Sequence, residues 1–234
     1  MKCVILQPSY IPWRGYFHQI QKADVFVFYD CVQYDDRGWR NRNRIKTGAG
    51  LQWLTIPVNA KGAQKNATPI KAIPIVWDRP WNEKHFATLA HNYSKAPFFP
   101  RYAPLLEEFY ARHDSLLADF TCDMTVSVAR ELGLTPRFIR SSELSAHGTK
   151  TDRLLDILTQ LRATRYISGP TAKDYLEMVK FEEAGIEVEF MNYDYPEYPQ
   201  LYGRFEPRVS ILDLLFMVGP DAGSYIWPHQ HQTK

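Results

Sequence analysis

The sequence predicts an α/β fold: a mostly parallel, Rossmann-like sheet with an additional helical block. Three observations carry this expectation. Residues 3–6 and 25–29 are short, continuous apolar runs, as strands buried on both faces require. Between them Trp13, Phe17 and Ile20 recur at near-helical spacing after Pro12. Strand, loop, helix and strand thus fit within about thirty residues, the length of one βαβ unit. Over 137–190 the chain again alternates apolar runs with helical periodicity, which implies a parallel sheet with right-handed crossovers.

The remaining elements follow in order. Residues 52–58 and 69–77 are rich in β-formers and read as two strands. The polar stretch 59–68 between them, with Lys61, Gly62 and Lys65, reads as a mobile basic loop suited to a lid. Helices are expected over 80–93, 100–111 and 114–133. The second places Tyr102, Leu105, Leu106 and Phe109 on one face. The third has Asp114 as N-cap, Leu116, Phe120, Met124, Val128 and Leu132 four apart, and Gly133 as its stop. The end of the chain predicts strand 137–140, helix 149–162, strand 165–168, helix 170–183, strand 186–190 and a last helix over 208–218. Thr149 and Asp152 have capping-box spacing, and Leu154, Leu155, Leu158 and Leu161 form the expected buried stripe. These elements make one α/β unit over 1–227, with 80–133 as a helical insertion and 228–234 as a polar tail.

Composition narrows the function classes. Lys and Arg number 28 against 26 Asp and Glu, so the net charge of +2 argues against a polynucleotide partner without excluding one. Any basic site is local. Aromatics reach 14%, from 14 Tyr, 13 Phe and 6 Trp, which suggests a site built on flat faces. Cys3, Cys31 and Cys122 are far apart and form no CxxC, so neither a disulfide framework nor a metal site is expected. The apolar start before Gln7-Pro8 is too short for a signal-peptide core or a membrane span, and the expected location is cytoplasmic.

Two loops are the leading candidates for chemistry. Residues 7–16, Gln-Pro-Ser-Tyr-Ile-Pro-Trp-Arg-Gly-Tyr, join the first strand to the first helix, where doubly wound sheets bind ligands. Residues 30–46 interleave Arg37, Arg40, Arg42, Arg44 and Lys46 with Trp39, Asn41 and Asn43. Guanidinium forks grip phosphate or carboxylate, and an indole stacks on a base or sugar. A third candidate is residues 167–175, Ile-Ser-Gly-Pro-Thr-Ala-Lys-Asp-Tyr, where a strand end runs into a helix start with Ser168, Gly169, Thr171 and Lys173 available for an anion. The stretch 147–151 with Lys150 reads the same way. The pair His229 and His231 in the tail has metal-binding spacing but reads as a polar terminus.

Ile5-Leu6-Gln7-Pro8, Tyr10, Pro12-Trp13, Gly15-Tyr16, Val32-Gln33-Tyr34, Trp39 to Asn43 and Trp53 to Val58 together resemble the WbqC-like family. The likeness continues in Tyr166 to Gly169, Tyr175-Leu176 and the late run Tyr198, Gln200, Gly203, Phe205, Pro207, Ser210, Ile211 and Asp213 to Leu215. The family is associated with bacterial surface-polysaccharide and O-antigen gene sets. More remotely, Pro12-Trp13-x-Gly15-Tyr16 is similar in spacing to the His-x-Gly-His signature of nucleotidylyltransferases. Both histidine positions are aromatic here, so the spacing supports the fold more than that reaction.

These readings combine into an expected transferase or ligase of surface-polysaccharide or related specialised biosynthesis. Its substrate would be an anionic small molecule, a nucleotide or a phosphorylated, sugar-linked compound, with a nucleotide the candidate cofactor. Arg42, Arg44 and Lys46 would neutralise phosphate; Gln7, Asn41 and Asn43 would orient polar groups. Trp13, Tyr16, Tyr34 and Trp39 would supply stacking walls, with Gly15 allowing close approach and Tyr10, Ser168 and Gly169 also contacting the substrate. Asp30 is the expected general base or metal-facing carboxylate, in a catalytic set with Gln33 and Tyr34. The alternatives are a nucleic-acid-binding or modifying protein and a noncatalytic assembly partner, with homo-oligomerisation left open.

Overall fold

The computed structural model describes residues 1–227; the tail with His229 and His231 lies outside them. Five strands, β1 (Lys2–Leu6), β2 (Val25–Phe28), β5 (Arg137–Arg140), β6 (Arg165–Ser168) and β7 (Glu187–Phe190), form one sheet in the order β5-β2-β1-β6-β7. All neighbours pair in parallel. The remaining strands, β3 (Arg42–Thr47) and β4 (Gly50–Thr55), make a separate antiparallel hairpin. The helices are α1 (Arg14–Lys22), α2 (Trp81–Tyr93), α3 (Phe99–Ala111), α4 (Leu117–Glu131), α5 (Lys150–Gln160), α6 (Met178–Glu183) and α7 (Ile211–Val218). The architecture is Rossmann-like, as the sequence predicts.

Strand alternation divides the interior. Val4, Phe26 and Phe28 pack in a cluster with residues of α1, α2 to α4 and α7. Cys3, Ile5, Val25 and Val27 point the other way, into a cluster with Leu154, Ile157 and Leu158 of α5 and Phe181 of α6. The centre of the sheet is therefore covered on both faces, which is why β1 and β2 read as apolar runs.

Several expectations need correction. Residues 30–46 read as a charged loop and 52–58 as a strand of the one continuous sheet, but Arg42–Thr47 and Gly50–Thr55 pair with each other in a separate hairpin. In β3, half-exposed Arg42 and Arg44 alternate with buried Asn43 and Ile45, a period of two written in polar residues. Residues 69–77 form no strand. They hold a 3-10 turn at Ile70–Ala72 and three isolated bridges, Gln33 with Pro69, Val58 with Ile75 and Pro74 with Leu116. Pro69 and Pro74 withhold the N–H groups that a ladder needs.

The expected helix 170–183 is divided into a 3-10 turn, Pro170–Asp174, and the short α6. Neither expected cap donates or accepts as proposed. Asp114 instead binds Arg112 at 2.8 Å, α4 starting after Leu116, and Thr149 precedes α5 without a side-chain cap bond. Gly133 does end its helix, at φ 73°. Among the described residues no helix is long and apolar enough to cross a membrane.

Candidate functional site

The chain leaves β1 for β2 on one side, and later places β6 on the other, so the strand order reverses between β1 and β6. In open parallel sheets the carboxyl ends at such a reversal border a crevice that no crossover fills. A cleft of about 1180 Å³ opens there. Its floor includes Ile5 and Leu6 of β1 and Tyr166 of β6; one wall comes from Gln7, Ser9, Pro12, Trp13 and Tyr16, and another from Trp39, Arg40, Asn43 and Arg44. Lys150 and Leu154 of α5, Thr171 and Tyr175 after β6, and Pro207 to Val209 before α7 complete it.

The loops 7–16 and 30–46 therefore meet. The Tyr10 amide donates to the Trp39 carbonyl at 3.1 Å, and Arg40 Nη1 donates to the Pro8 carbonyl at 3.1 Å. Asn43 Nδ2 donates to the carbonyls of Tyr10 and Ile11 at 3.2 and 2.8 Å. Ile11 has φ 37° and Lys150 has φ 49°, left-handed conformations unusual for residues with a Cβ. Such strain concentrates where a site over-determines the backbone.

The electrostatics of the lining are one-sided. Among the described residues, Arg40, Arg44, Lys150 and Arg208 contribute four cations to the lining, and no Asp or Glu does. None of the four forms an ion pair with a carboxylate among the described residues. Burial lowers the Arg40 pKa, yet a guanidinium stays charged. The Nε atoms of Arg40 and Arg44 are buried and have no hydrogen-bond partner. The Arg44 guanidinium lies 5.4 Å from the Trp39 ring and 5.3 Å from the Trp53 ring, and the two indoles are 5.3 Å apart. Tyr29 also borders the cleft; burial pushes its phenol up to about 12.

Of the residues singled out by sequence, Gln7, Trp13, Tyr16, Trp39, Asn43 and Arg44 line the cleft. The others lie elsewhere. Tyr10 is fully buried, its hydroxyl 2.8 Å from His85 Nδ1 and also bonded to Tyr110. Asn41 is buried and donates to the Ile56 carbonyl. Arg42 donates to the carbonyls of Gly38 and Arg37 and stacks on Trp53 at 4.8 Å. Lys46 gives its ammonium to Gln200 Oε1 and the Arg204 carbonyl.

The proposed catalytic set is equally committed. Asp30 is fully buried, and its carboxylate accepts from Arg140 Nε, Ser141 Oγ, Ser142 N and Ser142 Oγ at 2.8 to 3.0 Å. Gln33 donates to the Gln64 carbonyl, and Tyr34 is buried against the same turn through its amide. Gly15 makes room for a neighbour: a Cβ there would sit 2.3 Å from Trp13 Cζ2. Ser168 donates to the Tyr166 hydroxyl at 3.2 Å, and Gly169 packs beside the Tyr193 hydroxyl. Arg40 of the charge run, Lys150 of the stretch 147–151, and Thr171 and Tyr175 of the stretch 167–175 also line the cleft, whereas Gln19 and Arg208 do so without having been singled out.

The model of the WbqC-like protein family matches residues 7–225. The chain belongs to the WbqC-like protein family. A curated relative, the uncharacterized protein Rv1507c of Mycobacterium tuberculosis, is 41% identical over 227 residues, covering 96% of this chain and 97% of the relative. No solved structure matches the chain.

The late part of the WbqC-like match has a visible structural task. Asp213, buried in α7, accepts from Tyr93, Tyr198 and Gln200 at 2.7 to 2.8 Å, and Gln200 in turn receives Lys46. Burial raises the Asp213 pKa against these bonds. This network ties β3, α2 and α7 together and so fixes the chain just before and after Pro207 to Val209, which border the cleft.

Proposed function

We propose that the protein binds a phosphorylated small molecule, a nucleotide or a nucleotide- or sugar-linked phosphate, in the cleft between β1 and β6, and acts on it as a transferase or ligase. The observation that carries this reading is the lining: four unpaired cations and no carboxylate in a chain whose net charge is only +2. Charge-assisted bonds to phosphate would complete the cationic wall, and Trp13, Tyr16 and Trp39 offer faces for a base or sugar.

The volume supports two substrates, since about 1180 Å³ exceeds the 300 to 1,000 Å³ usual for a single small-molecule pocket. With no carboxylate in the lining, catalysis would rest on holding donor and acceptor together and on neutralising charge as it develops. The family resemblance suggests surface-polysaccharide biosynthesis as the setting.

A thermal-shift and calorimetric screen over nucleotides, nucleotide sugars and acyl donors tests this. Stoichiometric binding of at least one phosphorylated ligand, weakened in Arg44→Ala, is expected. The exposed Trp39 and Trp53 beside Arg42 and Arg44 favour a second reading, binding of single-stranded nucleic acid. Tight oligonucleotide binding with a steep salt dependence, and no response to mononucleotides, would select it instead.

A further inference from the structure

The cleft contains one neutral buried polar atom that nothing among the described residues satisfies. Gln19 of α1 is 4% exposed and lines the cleft. Its Nε2 donates to the Tyr193 hydroxyl at 2.6 Å, which commits one end of the carboxamide. Tyr193 is itself held, edge-on to Trp13 at 5.0 Å and with its hydroxyl beside Gly169. Gln19 Oε1 is left buried with no hydrogen-bond partner. A buried amide oxygen without a donor is costly, and proteins retain such an atom where a ligand supplies the missing partner.

We propose that Gln19 determines which ligand the cleft accepts: its Oε1 receives a hydrogen bond from an uncharged N–H or O–H group carried by the bound phosphate compound. This rests on the anion-binding reading above and narrows it. The donor is neutral because a cationic group would enter a lining with four positive charges and no carboxylate to pair with it. Sugar hydroxyls and the exocyclic amines or ring N–H groups of bases meet that requirement; fully ionised phosphate and pyrophosphate, whose oxygens only accept, do not. Tyr193 acts as a positioning residue, since its hydroxyl holds the carboxamide with the oxygen free.

The test uses calorimetry on the full chain with adenosine, guanosine, cytidine and uridine monophosphates, a hexose monophosphate and inorganic pyrophosphate. The tightest organic ligand is then compared with its deoxy or desamino analogues. For wild type, removal of one donor group should weaken binding about tenfold, the scale of a single hydrogen bond left unmade. Gln19→Leu should bind the parent and that analogue equally, with pyrophosphate affinity unchanged. Tyr193→Phe should lose most of the discrimination while retaining Gln19. Undiminished binding of every analogue by wild type would overturn the role of Gln19 alone, and this comparison needs no variant to fold. So would a parallel loss of pyrophosphate in Gln19→Leu, or a preference for analogues bearing an acceptor where the parent has a donor. If no phosphate compound, pyrophosphate included, binds wild type, the anion-binding reading falls and this proposal with it.

Discussion

Asn43 Nδ2 donates to the Ile11 carbonyl at 2.8 Å, joining the β3–β4 hairpin to the loop that leaves β1. The same nitrogen reaches the Tyr10 carbonyl, and Asn43 Oδ1 accepts from the Arg44 amide at 2.8 Å. One buried carboxamide therefore holds two walls of the cleft in register. Asn43→Leu strands these groups, each worth about 1–3 kcal/mol when buried and unpaired. Urea unfolding should show a loss of about 2–4 kcal/mol in total. An unchanged midpoint would mean that the walls are held by something else.

Ile11 itself shows two effects in competition. Replacing it with Gly relieves a left-handed conformation that costs about 1–2 kcal/mol, but removes a side chain that is 1% exposed, at about 2–5 kcal/mol. Burial wins, so Ile11→Gly should destabilise on balance. A stabilised variant in thermal melts would show that strain dominates.

Asp30 stands at the end of β2 where a general base was expected, yet the hydrogen bonds of its carboxylate all come from Arg140, Ser141 and Ser142. Asp30→Asn breaks a buried charge pair and should cost about 3 kcal/mol or more in stability. Ligand affinity measured below the melting transition should stay within about twofold of wild type, because Asp30 does not line the cleft. Retained stability with lost activity would restore Asp30 to the catalytic set.

Gly15→Ala places a methyl group where the Trp13 indole lies. Alanine favours the helix by about 1 kcal/mol, and Trp13 is partly exposed and free to swing outward. The expected result is near-normal stability, a red-shifted tryptophan emission and weaker ligand binding. Normal binding with a normal spectrum would show that the indole position is immaterial.

His85 makes stability depend on pH. Burial holds its folded pKa at about 4, below an unfolded value of about 6.5. As pH falls the unfolded chain takes the proton first, so stability is full above about 6.5, declines between about 6.5 and 4, and loses nothing more from this group below that. The slope from one such histidine is about 1.4 kcal/mol per pH unit. His18 is also lowered to about 4, but it is more exposed and its contribution is screened. Denaturant melts at pH 6 and 5 should differ more for wild type than for His85→Gln. Equal slopes would indicate that His85 titrates normally.

Local pattern explains what the sequence revealed. β1 and β2 are short apolar runs covered on both faces, and parallel pairing with β5 and β6 follows from the helices between the strands. The meeting of loops 7–16 and 30–46 was legible because both leave carboxyl ends of adjacent parallel strands. The hairpin was not, since Arg42, Arg44 and Lys46 look like a charged loop until their alternation with Asn43 and Ile45 is counted. Lys150, Thr171 and Arg208 reach the cleft from distant segments, and no spacing encodes that convergence. Asp30, Arg42 and Lys46 carry attractive chemistry, but their partners Arg140, Gly38 and Gln200 were invisible without the fold.

The central claim is that the cleft between β1 and β6 is an anion site. An anomalous difference map from crystals soaked in tungstate, a compact oxyanion that stands in for phosphate, tests it most directly. The account predicts the strongest peak inside the cleft, within hydrogen-bond reach of at least two of Arg40, Arg44, Lys150 and Arg208. An empty cleft, with tungstate found only on surface cations outside it, would contradict the claim.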